Sequence, residues 1–111
     1  MTISTESMNG DVTRVVLDGR LDIQGAAAID LKMNVLAGSS KFLLIDLTNV
    51  SFLGSMGLRS LLLPAQAVKR RGGKTVILNP TPMVEEVLRA SNIGEIIPIY
   101  FDLAEALGAL S

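Results

Sequence analysis

The chain has no cysteine, no histidine and no tryptophan. Without cysteine there are no disulfides, no thiol catalysis and no iron–sulfur ligation, and without histidine the commonest metal ligand and the commonest general base are missing. There is no GxxxxGK[ST] phosphate loop and no evident acid/base pair in the loops. Neither a catalytic residue nor a metal or cofactor site is therefore expected, and the chain does not read as an enzyme. Ten basic residues against 11 acidic ones leave a net charge of −1, which gives no electrostatic case for nucleic acid or an acidic membrane surface. No apolar run approaches the roughly 20 residues of a membrane span, and the N-terminus does not place a charged region before an apolar one. A cytoplasmic protein without direct membrane insertion is the expectation.

What remains is an apolar, well-punctuated chain. Its 111 residues, 49% of them hydrophobic, suit one compact domain over residues 1–111 with a core adequate for independent folding. The most informative stretch is Phe42 to Leu62. Phe42, Leu43, Leu44 and Ile45 are apolar without alternation, which fits a strand covered on both faces of a parallel or mixed sheet. After a polar turn and Gly54-Ser55-Met56-Gly57 the period changes. Leu58, Leu61, Leu62, Ala65 and Val68 share one face of a helix. A strand hands over to a helix across a loop carrying a hydroxyl, at the carboxyl end of the strand where sites in α/β sheets usually lie.

Around this unit the chain alternates. Thr2 to Ser7 and Val12 to Leu17, separated by the turn signal Asn9-Gly10-Asp11, read as an antiparallel hairpin. Asp18 to Asp22 reads as a turn-rich loop, and a helix from about Gly25 to Ala37 buries Ile29, Met33 and Leu36. Lys69-Arg70-Arg71 complements the dipole at the end of the central helix before Gly72-Gly73. Lys74 to Asn79 forms another strand, Asn79-Pro80-Thr81-Pro82 opens a helix, and Ile96 to Tyr100 is a short strand. Asp102 and Glu105 are placed as a capping box for a last helix. The predicted order is ββαβαβαβα: a single-domain α/β sandwich in which an N-terminal hairpin leads into parallel crossovers, with about four helices.

Three segments give this pattern a family likeness. Gly19-Arg20-Leu21-Asp22 is similar to the Gly-x-Leu/Ile-Asp that follows the second strand of STAS domains. Ile45 to Leu58 resembles their central DLSxVxFxDSSGL signature, and Arg71-Gly72-Gly73-Lys74 with Asn79-Pro80 and Val84 to Leu88 makes the third. The chain thus resembles the anti-sigma factor antagonists, or anti-anti-sigma factors, of the STAS family, with the likeness running from about Val12 onward. The family's Asp before the signature serine is Gly54 here, and the small residue after it is Met56.

The resemblance implies a bacterial transcription regulator that works by partner switching. Its partner would be an anti-sigma factor carrying a GHKL-type serine/threonine kinase domain, with a metal-dependent serine phosphatase as a second partner, and the chain itself a monomer or weak dimer. Matched by position, the phosphorylated residue would be Ser55. The partner surface would hold Asp22, Gly54, Ser55, Met56, Gly57, Arg59 and Ser60. Ser55 is expected at the N-cap of the central helix, where its hydroxyl can bond a free amide and a phosphate would meet unpaired N–H groups. A phosphate adds about −1.5 to −2 charges, which the dipole favours by only about 0.3–1 kcal/mol. A partner packed on the loop would have to bury the dianion, so the cost falls on the interface. The alternative is a constitutive, non-phosphorylated adaptor subunit of a sensory assembly or lipid-transport complex.

Overall fold

A computed structural model describes residues 1–110. Strands β1 (Thr2–Met8), β2 (Val12–Leu21), β3 (Phe42–Leu53), β4 (Lys74–Leu78) and β5 (Ile99–Tyr100) form one sheet in chain order. β1 and β2 pair antiparallel, and every later pair is parallel. Helices α1 (Ile23–Ser39), α2 (Ser55–Arg70) and α3 (Pro82–Ala90) connect the parallel strands, and α4 (Leu103–Leu110) closes the chain. The element order and mixed topology are those expected from the sequence.

Side chains of β3 alternate between two cores. Leu43, Ile45 and Leu47 pack with Ile29 and Met33 of α1, Leu61, Ala65 and Val68 of α2, and Val84 and Leu88 of α3. Leu44, with Val12, Val76 and Leu78, packs against Ala106 and Leu110 of α4. Three helices thus cover one face and the fourth covers part of the other, which is why the Phe42–Ile45 run needs no polar side. On the α4 face Asp46 is buried, yet its Oδ2 lies 2.7 Å from Arg14 Nη2 and its Oδ1 accepts Thr48 N–H at 3.0 Å and the Thr48 hydroxyl. Burial tends to raise its pKa, but these bonds outweigh it and hold the carboxyl below its ordinary value.

Several boundaries differ from the sequence reading: α1 is longer at both ends than Gly25–Ala37, and β5 is only Ile99–Tyr100, where a strand from Ile96 is expected, with a 3₁₀ turn over Ile93–Glu95 ahead of it. β2 runs on through Asp18-Gly19-Arg20 to Leu21, and β3 through Thr48–Ser51 to Leu53, although both stretches look like loops. The pairing survives because the register shifts between Val16 and Asp18 and again between Gly19 and Arg20. Gly19, at the second shift, has φ 124, a conformation that favours glycine. These extensions carry both strands to one end of the sheet, where Leu21 and Leu53 lie side by side in register. The helix α2 passes through Pro64 without interruption. At its C-terminus Arg71 donates from Nη1 to the carbonyls of Ala37 (2.7 Å) and Ser40 (3.1 Å), so part of the basic cluster ties α1 to α2. Asp102 caps α4 through the Glu105 N–H at 3.1 Å.

Candidate functional site

At the carboxyl end of the paired strands, α1 and α2 begin next to each other. The Gly54 N–H donates to the Leu21 carbonyl at 3.0 Å, which staples one strand-to-helix turn to the other. Gly57 completes the contact. A Cβ on it would stand 2.5 Å from the Leu21 carbonyl oxygen and 2.9 Å from Leu53 Cδ1, so only glycine lets α2 start this close to β2.

Asp22 is the N-cap of α1. Its backbone is extended, and Oδ1 accepts the Gly25 N–H at 2.8 Å while its own carbonyl takes the Ala26 N–H. The Gly25 bond chiefly lowers its pKa; desolvation opposes the shift and the charge of Arg20 adds to it. Arg20 Nε lies 3.6 Å from Asp22 Oδ2, and the guanidinium sits over the Phe52 ring at 4.5 Å from its centroid. Arg20 and Phe52 are absent from the sequence-derived site. The signal for Arg20 was its place inside Gly19-Arg20-Leu21-Asp22; Phe52 is 32 residues away and nothing local announces the pairing.

On the α2 side the N-cap is Gly54, not Ser55. Gly54 is extended (φ −104, ψ −178) and its carbonyl accepts the Leu58 N–H at 3.0 Å, so the helix opens at Ser55. The expected capping bond from Ser55 does not form, because Ser55 is already inside the helix and the cap position falls on Gly54, which has no side chain to bond an amide. Ser55 is exposed, and its hydroxyl makes no hydrogen bond among the described residues. Met56 is 40% exposed and Arg59 is exposed, while Gly54 is half-buried.

Gly57 and Ser60 do not reach the surface. Ser60 is only 4% exposed; its Oγ lies 2.5 Å from Asp30 Oδ1 and 3.1 Å from the Met56 carbonyl, which locks α2 to α1. The pattern of the first turn gave no warning, since the partner that buries Ser60 lies on another helix. Of the seven expected contact residues, then, Asp22, Ser55, Met56 and Arg59 form an outer rim with the edge of Gly54, and Gly57 and Ser60 build the support beneath. The rim offers an accessible hydroxyl above free helix amides, flanked by cationic side chains and one flexible apolar side chain. Among the described residues no three His, Cys, Asp or Glu side chains gather into a metal-binding group. Such a rim can receive a group or a protein surface.

The model of the STAS domain matches residues 5–106. An anti-sigma factor antagonist from Mycobacterium paratuberculosis is 28% identical, with a TM-score of 0.86 over 98% of this chain and 92% of that one. An anti-sigma-factor antagonist (STAS) domain protein from Planctomyces limnophilus is 25% identical, with a TM-score of 0.87 over 98% of this chain and 97% of the other. The Bacillus cell fate determinant SpoIIAA, solved in its phosphorylated form, shares the fold at 21% identity, with a TM-score of 0.75 over 99% of this chain and all of that one. Among curated proteins no sequence matches significantly.

Proposed function

We propose that this chain, which belongs to the STAS domain family, is an anti-sigma factor antagonist that binds an anti-sigma factor and is controlled by phosphorylation of Ser55. The observation that carries this reading is the state of Ser55: exposed at the first position of α2, without a hydrogen bond, on the rim formed where β2 and β3 end together. A kinase needs a hydroxyl it can reach and rotate, and a helix cap would have to be broken first. Support comes from solved antagonists of the same fold and from the phosphorylated form of one of them.

The chemistry follows from the geometry. The partner supplies ATP and the catalytic groups, as a GHKL-type serine/threonine kinase would, and the chain supplies the acceptor oxygen. On the unmodified rim Arg20 is paired with Asp22, and Arg59 has no ion-pair partner among the described residues, so these three side chains leave about one positive charge. Unphosphorylated, the rim packs on the anti-sigma factor and the sigma factor is released. The phosphate brings nearly two negative charges to a surface the partner must desolvate. Within the chain the free amides of α2 and Arg59 accommodate it, so the fold persists and the complex does not. A metal-dependent serine phosphatase would reset the rim.

Incubation of the protein with ATP and the GHKL-type kinases of its genome, followed by intact-mass measurement, tests the reading. One phosphate, mapped to Ser55 and accompanied by loss of kinase binding, is the expected result. No incorporation with any of them removes the switch.

A further inference from the structure

The ladder between β4 and β5 stops early, and Pro98 is the reason. Ile77 N–H donates to the Pro98 carbonyl at 2.9 Å and Asn79 N–H to the Tyr100 carbonyl at 2.7 Å, so alternate residues of β4 face β5. Lys74, out of that phase, donates to the Lys41 carbonyl on the β3 side. Thr75 therefore turns its N–H and C=O toward the β5 side, one step before the ladder begins. The next bond of a parallel ladder would run from the Pro98 nitrogen to the Thr75 carbonyl, and proline has no N–H to give. Among the described residues no backbone carbonyl meets the Thr75 N–H either. The Thr75 hydroxyl is also buried without a hydrogen-bond partner, in a residue only 5% exposed. Three polar groups of one buried residue thus go unpaired, where a folded chain pairs nearly all such groups.

Thr75 lines a cavity of about 370 Å³ at the amino end of β4, a size found among small-molecule sites. The far end of α2 contributes Ala65 and Lys69, Ile96 and Pro98 form the wall where β5 is missing, and Lys74 and Tyr100 complete it. Neither lysine has an ion-pair partner among the described residues. We infer that this cavity binds a small organic carboxylate that carries a hydroxyl beside the carboxylate and an apolar body. Each part answers a group on the wall. The two ammoniums, the Thr75 N–H and the Thr75 hydroxyl are donors and select an anionic acceptor. The Thr75 carbonyl asks for a donor next to that acceptor, which the ligand hydroxyl supplies; a phosphate would set a further oxygen against the carbonyl. Ala65, Ile96 and Pro98 select carbon for the rest. Water alone can satisfy single groups, but it leaves two cations unpaired beside an apolar wall. Lys69 lies about 20 Å along α2 from Ser55, so the cavity is separate from the rim.

Mandelate is the probe, with phenylacetate lacking its hydroxyl and mandelamide lacking its charge. Each is titrated into the isotope-labelled whole chain to about 20 mM and followed by amide NMR, a range that brackets the roughly millimolar Kd a ligand of this size reaches. Mandelate should give a saturable downfield shift of the Thr75 amide proton. The Kd should be about threefold or more higher for phenylacetate and about tenfold or more higher for mandelamide. Lys69 and Lys74 are exposed, so the double variant Lys69→Gln/Lys74→Gln keeps its fold and should bind mandelate about tenfold more weakly. Thr75→Val removes the unpaired hydroxyl, so it should raise the melting temperature of the free protein while weakening mandelate binding. A Thr75 shift that stays linear to the end of the titration would overturn the inference. So would equal affinity for mandelate and either analogue, undiminished binding by the lysine double variant, or a lower melting temperature in Thr75→Val, which would mean that the hydroxyl is already paired.

Discussion

Gly57 in α2 touches the backbone of Leu21 at the end of β2 so closely that any Cβ would lie 2.5 Å from the Leu21 carbonyl oxygen and 2.8 Å from the Leu21 Cβ. Both obstacles belong to a buried strand end with no flexible side chain to swing aside. The contact sets the separation of the two helix starts, and so the shape of the rim that carries Asp22 and Ser55.

Gly57→Ala is therefore expected to cost about 2–3 kcal/mol, the upper part of the range for overpacking against fixed atoms. At about 4–8 °C per kcal/mol for a domain of about 100 residues, calorimetry should find the melting temperature lower by ten degrees or more. A loss of less than two degrees would mean that α2 can slide outward and that the contact does not position the site.

Asp46 and Arg14 make a second prediction. Asp46→Asn keeps the shape of the side chain but leaves Arg14, whose Nε already lacks a partner, without its charge partner. Because Arg14 is a quarter exposed, the loss should be about 1–3 kcal/mol, below that of a fully buried pair. The pH dependence has a definite sign. The folded pKa of Asp46 lies below its ordinary 3.8, so its contribution to stability is complete above that pH and is lost as the pH falls through the folded value. Urea titrations of wild type and Asp46→Asn should diverge above about pH 4 and converge in stronger acid. A constant gap across that range would show that the loss does not come from the charge of Asp46.

Much of this was legible in the sequence, for physical reasons. A run such as Phe42–Ile45 has one comfortable environment, a strand covered on both faces, and the period of Leu61, Ala65 and Val68 has one helix face to point toward the sheet. What escaped depends on contacts between distant parts of the chain. Gly19 and Arg20 look like a turn and become strand because a register shift keeps them paired with Val50 and Phe52. Ser60 looks like surface and is buried because Asp30 is waiting on another helix. Ser55 looked like an N-cap because a Ser before a helical pattern usually is one; the cap fell one residue earlier, on a glycine whose N–H is held by Leu21.

The third prediction separates stability from recognition at the rim. Asp22→Ala removes a formed N-cap and should cost about 0.5–2 kcal/mol, while Met56→Ala should cost less than a core methionine because Met56 is 40% exposed. Under the proposed function, the double variant should bind the anti-sigma factor about tenfold or more weakly by calorimetry, a larger effect than the stability loss alone produces. Unchanged affinity would take both residues out of the interface.

The last prediction concerns Ser55 and the residue before it. Ser55→Ala should abolish phosphate incorporation and leave partner binding intact, and since Ser55 forms no cap it should barely change stability, by no more than about 0.5 kcal/mol. Ser55→Asp should also fold, because a carboxylate in the first turn suits the helix dipole. It should bind more weakly than wild type, but less so than the phosphorylated protein, having about one charge against nearly two. Gly54→Asp is the more revealing change. The backbone at Gly54 is extended, as an N-cap aspartate prefers, and a Cβ there would approach only the edge of the Phe52 ring at 3.3 Å, which can yield by a few tenths of an ångström. The substitution supplies the cap that α2 lacks and should stabilise the domain by a few tenths of a kcal/mol. It also returns a carboxylate beside the acceptor hydroxyl, within the surroundings of Arg20, which sits over the same ring. If the kinase uses that charge to recognise the loop, Gly54→Asp should raise the rate of Ser55 phosphorylation, read as phosphate stoichiometry over time by mass spectrometry. If wild type and Gly54→Asp both stay unmodified while binding the partner tightly, Ser55 is not a switch and the rim binds without regulation at this residue.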